Sequence, residues 1–420
     1  MRSGIEPQPS GQAGMRRANL SLVLRHLQTR GPMSRASVAA EVGLNKATVS
    51  SLVAELIERE LITEGHVQRQ GTVGRPGQLL HVAGGGVVGV GAAVNAAFLA
   101  VVARDLAGHT VAERRVAHDI AAAGPVRSVA LLGRAVLEVL GTVERQGYDV
   151  AGVTVAVPGL VDMHRGMVRV APNIEWSDLA LVDLLQSRLR RPGLVVEVGN
   201  DANLGAIAEH ACGVAAGTPD LVYLSGETGV GGGIIIDGQL IRGSVGFSGE
   251  VGHMPLGDPR LTCGCGRMGC WETVVGLGAL FRSAARSPVD DLLDMGIDVD
   301  ARLALLGRRA RDGDPATLAV LDAVGDSLGR GASVLVNLVN PGALVLGGYF
   351  GILGWHFSPR VAQGLDQHVI APDVGGCAVH ASTLGFAAPS IGGAIVSLRR
   401  VLDDPTLVPL ASVAPESATA

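Results

Sequence analysis

Leu20, Val23, Leu24 and Leu27 recur at i, i+3, i+4 and i+7, which predicts a helix with one apolar face. Gly31-Pro32 ends it. Ser34 is placed to cap a second short helix carrying Val38, Ala39 and Val42. After Gly43, Asn45 caps a third, with Val49, Leu52, Val53 and Leu56 on a single face. Two short helices joined by a glycine-containing turn, the second opening on polar residues, form a helix-turn-helix pattern. Leu61-Ile62-Thr63 and Gln78 to Val82 can then pair as a hairpin, a wing whose tip holds Gly71 and Gly74-Arg75-Pro76. Each piece alone also fits a plain helical bundle with a solvated loop. The ordered set points to DNA.

From Val87 the pattern changes to runs of strand type: Val87 to Val94, Ala97 to Ala103, a turn at Asp105-Leu106-Ala107-Gly108, then Thr110 to Val116. A helical stretch over Val129 to Val143 precedes a buried strand from Ala151 to Val157. Leu221 to Ser225, Gly233 to Ile236 and Ala343 to Leu346 repeat the alternation, so the body reads as an α/β protein of two lobes. The expected organisation is a flexible N-terminus over 1–16, a winged helix-turn-helix over 17–82, a body over 83–404 and a flexible tail over 405–420.

Charge sharpens this division. Up to Val82 there are ten Lys/Arg against six Asp/Glu; beyond it 24 against 33, within chain totals of 34 and 39. A cationic head on an anionic body suits a nucleic-acid module attached to a domain with another task. In the head, Asn45, Lys46 (the one lysine of the chain), Thr48 and Ser50 open the recognition helix and are the candidate DNA contacts. Arg75, between glycine and proline on the wing, suits minor-groove insertion. No stretch offers about 18 consecutive apolar residues, so no membrane span is expected. The first residues lack the apolar core of a signal peptide. With five cysteines in 420 residues, a cytoplasmic location is expected.

Three of those cysteines fall in Cys263-Gly-Cys265-Gly-Arg-Met-Gly-Cys270. With His253 they can wrap one tetrahedral, structural Zn²⁺, the glycines allowing the tight turns. Cys212 and Cys377 stand alone on apolar stretches and read as core fillers.

Glu250-Val-Gly-His253 followed by the cysteine run and Trp271-Glu272 resembles the signature of the ROK family of repressors, open reading frames and sugar kinases. Val157-Pro158-Gly159-Leu160-Val161-Asp162, Ala171-Pro172-Asn173 with Trp176, Asn200-Asp201-Ala202-Asn203, Thr228-Gly229-Val230-Gly231-Gly232-Gly233 and Leu346-Gly347-Gly348 match it in order. The winged helix is what the repressor branch carries. The resemblance implies a two-lobed actin/hexokinase-like (ribonuclease H-like) domain: lobe one about 85–199 plus a C-terminal helix 388–402, lobe two about 200–387. It implies a site for a sugar or sugar phosphate built from Gly159, Asn200, Asp201, Glu250, His253 and Glu272.

It also implies how far the chain departs from a kinase. The kinase branch holds ATP phosphates on an Asp-x-Gly-Gly-Thr turn; here the aligned stretch is Gly91-Ala92-Ala93-Val94-Asn95. In the second phosphate loop Glu227 stands where family kinases have glycine. No catalytic residue is therefore expected, although Asp201 would be the base if the protein were a kinase. The expected function is a sugar-responsive regulator binding operator DNA, a repressor of carbohydrate genes acting as a homodimer or dimer of dimers. The alternative is an active sugar kinase with a DNA-binding appendage.

Overall fold

The computed structural model describes residues 11–65, 78–370 and 376–410. Its N-terminal unit contains helices Gln12–Arg30, Arg35–Val42 and Lys46–Glu58. Ser34 and Asn45 cap the second and third through their side-chain oxygens, and Gly43 closes the second in the left-handed conformation. Ile62–Glu64 and Leu79–Val82 pair antiparallel as the wing, with Thr63 opposite His81. Met33–Ser34 adds a short third strand that periodicity does not reveal. The first helix starts at Gln12, five residues before the expected boundary, because a helix once nucleated extends through Ala13 to Arg17 at little cost.

The first lobe is a five-stranded sheet ordered Val196–Asn200, Asp149–Val157, Val87–Val94, Phe98–Asp105, Thr110–Ala117; its first three strands run parallel. Helix Pro125–Arg145 covers one face. A small antiparallel sheet, Leu160–Asp162 with Met167–Ala171 and Trp176–Leu179, follows the second of these strands. The second lobe repeats the plan, with strands Gln239–Leu240, Val230–Ile236, Leu221–Gly226, Ala343–Gly348 and Ala378–Ala381 in that order. Two such sheets form the two-lobed, ribonuclease H-like arrangement.

Helix Ala388–Asp403 lies against the sheet of the first lobe and against helix Asp201–Cys212. The second contact is backbone on backbone. A Cβ on Gly392 would stand 1.8 Å from the carbonyl oxygen of Leu204, so any side chain there would drive the helices apart.

The same helix continues into the N-terminal unit. Leu398, Val401 and Leu402 belong to one buried cluster with Leu20, Leu24, Leu52 and Leu56 of the winged helix. Ser21 Oγ donates to the carbonyl of Leu402 at 2.6 Å, and Arg17 and Arg25 pair with Asp404 and Asp403. The segment from residue 405, expected to be free, is packed as far as Val408. Pro405–Leu407 form a 3₁₀ turn, and Val408, only 3% exposed, packs into that cluster while Arg59 donates to its carbonyl. Burial of Val408 and satisfaction of its backbone outweigh the entropy of the short segment.

Leu402→Ala should destabilise the protein by about 2–5 kcal/mol, the range for a buried leucine. Leu402 lies in the interior, so any operator binding by the N-terminal unit should fall with stability alone. Urea denaturation beside a mobility-shift titration checks this; an unaffected midpoint would contradict the shared core.

Candidate functional site

A cleft opens between the lobes. Gly159, Asn200, Asp201, Glu250, His253 and Glu272 all line it, so residues spread over more than a hundred positions converge on one space.

Local structure explains each placement. Gly159 follows the strand Asp149–Val157 with φ +89°, and a Cβ there would meet the carbonyl of Val170 at 2.3 Å. Only glycine makes this turn. Asn200 ends strand Val196–Asn200 and caps the helix that follows: its Oδ1 accepts from the N–H of Asn203 at 2.9 Å. Its Nδ2 donates to the carbonyl of Gly159 at 3.0 Å. Asn200 is thus already engaged at both ends of its amide. Asp201, the first residue of the helix, accepts from the N–H of Ala202 at 2.7 Å. Burial holds its carboxyl up at about 6.

Glu250 opens the 3₁₀ turn Val251–His253. Burial, with Asp201 and Glu272 nearby, pushes its carboxyl up to about 7. Glu272 begins a short helix at the end of the cysteine run, and its Oε2 accepts from the N–H of Val230 at 3.4 Å.

His253 joins the cleft to the cysteines. Its Nδ1 lies 3.7 Å from Cys263 Sγ, while its Nε2 faces Glu250 Oε2 at 3.7 Å. Cys265 Sγ and Cys270 Sγ are 3.7 Å apart, and the four ligand atoms all lie within 4.8 Å of one another. A tetrahedron with arms of about 2.3 Å has edges of about 3.8 Å, so the set fits a metal such as zinc. Cys263 and Cys270 are buried and Cys265 is half-buried, while Cys212 and Cys377 lie outside the set. Cys212 is exposed rather than a core filler, because it ends helix Asp201–Cys212 where that helix leaves the protein surface-side.

The two positions that depart from a phosphate-binding pattern also meet here. Asn95 stands in the tight turn between Val87–Val94 and Phe98–Asp105, and its Nδ2 donates to Glu227 Oε2 across the cleft at 2.5 Å. Sequence reasoning identifies both as departures but not as partners, since 132 residues separate them. Burial, followed by the charge of Asp201, holds Glu227 up at about 8.

In the head, Asn45, Lys46 and Ser50 are exposed at the start of the third helix and Thr48 is half-buried. Asn45 Oδ1 accepts from the N–H of Thr48 at 2.8 Å, which commits that oxygen to the cap. Arg75, like Gly71 and Gly74, lies outside the described residues. No helix among the described residues is long and apolar enough to cross a membrane.

The ROK family model matches residues 90–400. The chain is 30% identical to the xylose repressor of Bacillus spizizenii over 93% of its own length and 98% of the relative's. A crystal structure of a ROK family transcriptional regulator, a homologue of the Escherichia coli Mlc protein, superposes with a TM-score of 0.72 at 26% identity. That match covers 93% of this chain and 97% of the other. A ROK family glucokinase from Streptomyces griseus, solved with glucose and AMPPNP, gives 0.61 at 29% identity, covering 74% of this chain and 99% of the kinase. The kinase thus matches a smaller share of the chain than the regulator does.

The raised carboxyl of Glu227 carries a pH signature. A carboxyl lifted from 4.5 to about 8 on folding favours the folded state below its unfolded pKa, and that contribution is lost as pH rises to about 8. Glu227→Gln cannot lose a proton. Its stability relative to wild type should therefore improve steadily between pH 5.5 and 8, measured by urea midpoints. An equal difference at both pH values would contradict the burial of an ionisable group here.

Proposed function

The chain belongs to the ROK family, and from that premise we propose that it is a sugar-responsive transcriptional regulator, a repressor whose cleft senses a sugar. The observation that carries this reading is the union of two units by one helix. Ala388–Asp403 packs on the cleft helix Asp201–Cys212 at one end and completes the winged-helix core at the other. A ligand altering the lobes would thereby act on the DNA-binding surface.

Operator DNA would meet the exposed start of the third helix, with Lys46 and Ser50 reaching bases or phosphates and Asn45 presenting what its cap leaves free. One such head offers few contacts, so a two-fold symmetric dimer is the expected DNA-bound form. In the cleft, carboxylates beside an amide suit adjacent sugar hydroxyls, which both donate and accept. Asp201 and Glu250 are the natural partners, with the Nε2 of His253 facing Glu250.

A Zn²⁺ held by His253, Cys263, Cys265 and Cys270 would organise the loop from Glu250 to Glu272. Bound through Nδ1, the metal would fix the histidine's tautomer and leave Nε2 toward the cleft. About one zinc per chain is expected from elemental analysis of protein purified without chelator, and Cys265→Ser should lose it together with the sugar response. Metal-free protein that still responds to sugar would overturn this role.

Phosphoryl transfer is not expected. It depends on positioning and charge neutralisation, whereas the first phosphate turn is replaced by a strand ending at Val94 and the second holds a buried carboxyl. The kinase alternative keeps one supporting feature, Asp201 in the cleft. A coupled assay with hexoses, ATP and Mg²⁺ decides between the two. Turnover abolished in Asp201→Ala would establish the kinase. No turnover, together with sugar-dependent release of operator DNA that is lost in Glu250→Ala, is the outcome this reading requires.

A further inference from the structure

The cleft is lined by four carboxyl groups, Asp201, Glu227, Glu250 and Glu272, and among the described residues around it there is no lysine or arginine. That is an unusual setting for an anion. Backbone donors could in principle compensate, since helix N-termini and glycine-rich turns bind phosphate in many proteins. Here several of those donors are already taken from within. The N–H groups of Ala202 and Asn203, at the start of the cleft helix, are accepted by Asp201 and Asn200 at 2.7 and 2.9 Å. In the glycine-rich turn the N–H of Val230 faces Glu272 at 3.4 Å.

Glu227 completes the pattern. Its backbone is fixed at both sides: its N–H donates to the carbonyl of Gly229, and its carbonyl accepts from Leu277. Asn95 is equally fixed, its Oδ1 accepting from the N–H of Ala97 at 3.0 Å, so its Nδ2 has one direction to point. The two side chains bond directly to each other and so join the lobes across the cleft.

We propose that the Asn95–Glu227 pair is an internal clasp in the place of a ligand phosphate, so that the effector is an uncharged sugar and neither a sugar phosphate nor a nucleotide. The inference rests on the reading of the cleft as a sugar site and specifies its ligand class. A phosphate ester brings about −1.5 to −2 charges at pH 7. A pocket that already resists ionisation of its own Asp201 and Glu227 resists that charge more strongly. A neutral polyol meets no such penalty, because its hydroxyls donate to carboxylates and accept from carboxylic acids alike.

The test is calorimetric titration of the full chain, at pH 9, where Glu227 of the wild type is ionised, with xylose, glucose and N-acetylglucosamine and with their terminal phosphate esters. Glu227→Gln, which keeps the side chain's shape, is titrated beside wild type. The clasp predicts that whichever sugar binds does so at least 100-fold more tightly than its ester, and that Glu227→Gln narrows this ratio at least tenfold. ATP with Mg²⁺ should leave the sugar's Kd unchanged. An ester bound as tightly as its parent sugar, or a ratio untouched by Glu227→Gln, overturns the proposal while leaving the sugar site standing. If no sugar and no ester binds, the reading of the cleft itself fails and this inference falls with it.

Discussion

Close packing around helix Ala388–Asp403 is the constraint on which the rest of the molecule depends. The chain must bring this helix back to the first lobe after crossing the second, seat it against strands of the first sheet, and bring it within backbone contact of helix Asp201–Cys212 at Gly392. Its last turns then supply Leu398, Val401 and Leu402 to the core of a domain that began almost four hundred residues earlier. A close-packed interior transmits displacement because it has few voids in which to absorb it. The head and the cleft are therefore mechanically close despite their distance in sequence. A ligand can bias the head only as far as it binds two arrangements of the lobes with different free energies. In the proposed regulator the helix would provide the physical route and the cleft the difference.

Electrostatics gives the cleft its character. Desolvation raises the carboxyls of Asp201, Glu227 and Glu250, and the charge of Asp201 adds to the cost of ionising Glu227 and Glu250. In a phosphoryl-transfer site such crowding would be relieved by a cation and by backbone N–H groups turned outward. Here Asn95 and the N–H groups of Ala202 and Val230 are turned to the protein's own carboxyls.

Much of this was legible in the sequence, for reasons that differ by element. The winged helix follows from 3.6-residue periodicity joined to side-chain caps at Ser34 and Asn45, both local signals. The metal cluster follows from cysteine spacing across eight residues plus one histidine, since few other arrangements satisfy that chemistry. The central strands declared themselves as apolar runs. What stayed hidden is what depends on distant partners. Strand Met33–Ser34 has two residues and exists only because Leu79 and Leu80 pair with it. Val408 sits in a segment of turn-forming composition, and only Arg59 and the winged-helix core reveal why it is ordered. Asn200 and Asn45 illustrate a different limit: the residue types that suit ligand contact also suit helix caps, and the structure shows both in the capping role. The Asn95–Glu227 pair lies between two loops that neither periodicity nor composition connects.

Thermodynamic linkage offers the most direct test that cleft and head are coupled. The dissociation constant of the effector sugar should be measured for the free protein and for the protein saturated with operator DNA, at one salt concentration. The account predicts that operator-bound protein holds the sugar more weakly, by the same factor, roughly 5- to 150-fold, by which the sugar weakens operator binding. Equal affinity of the sugar for free and operator-bound protein would contradict it.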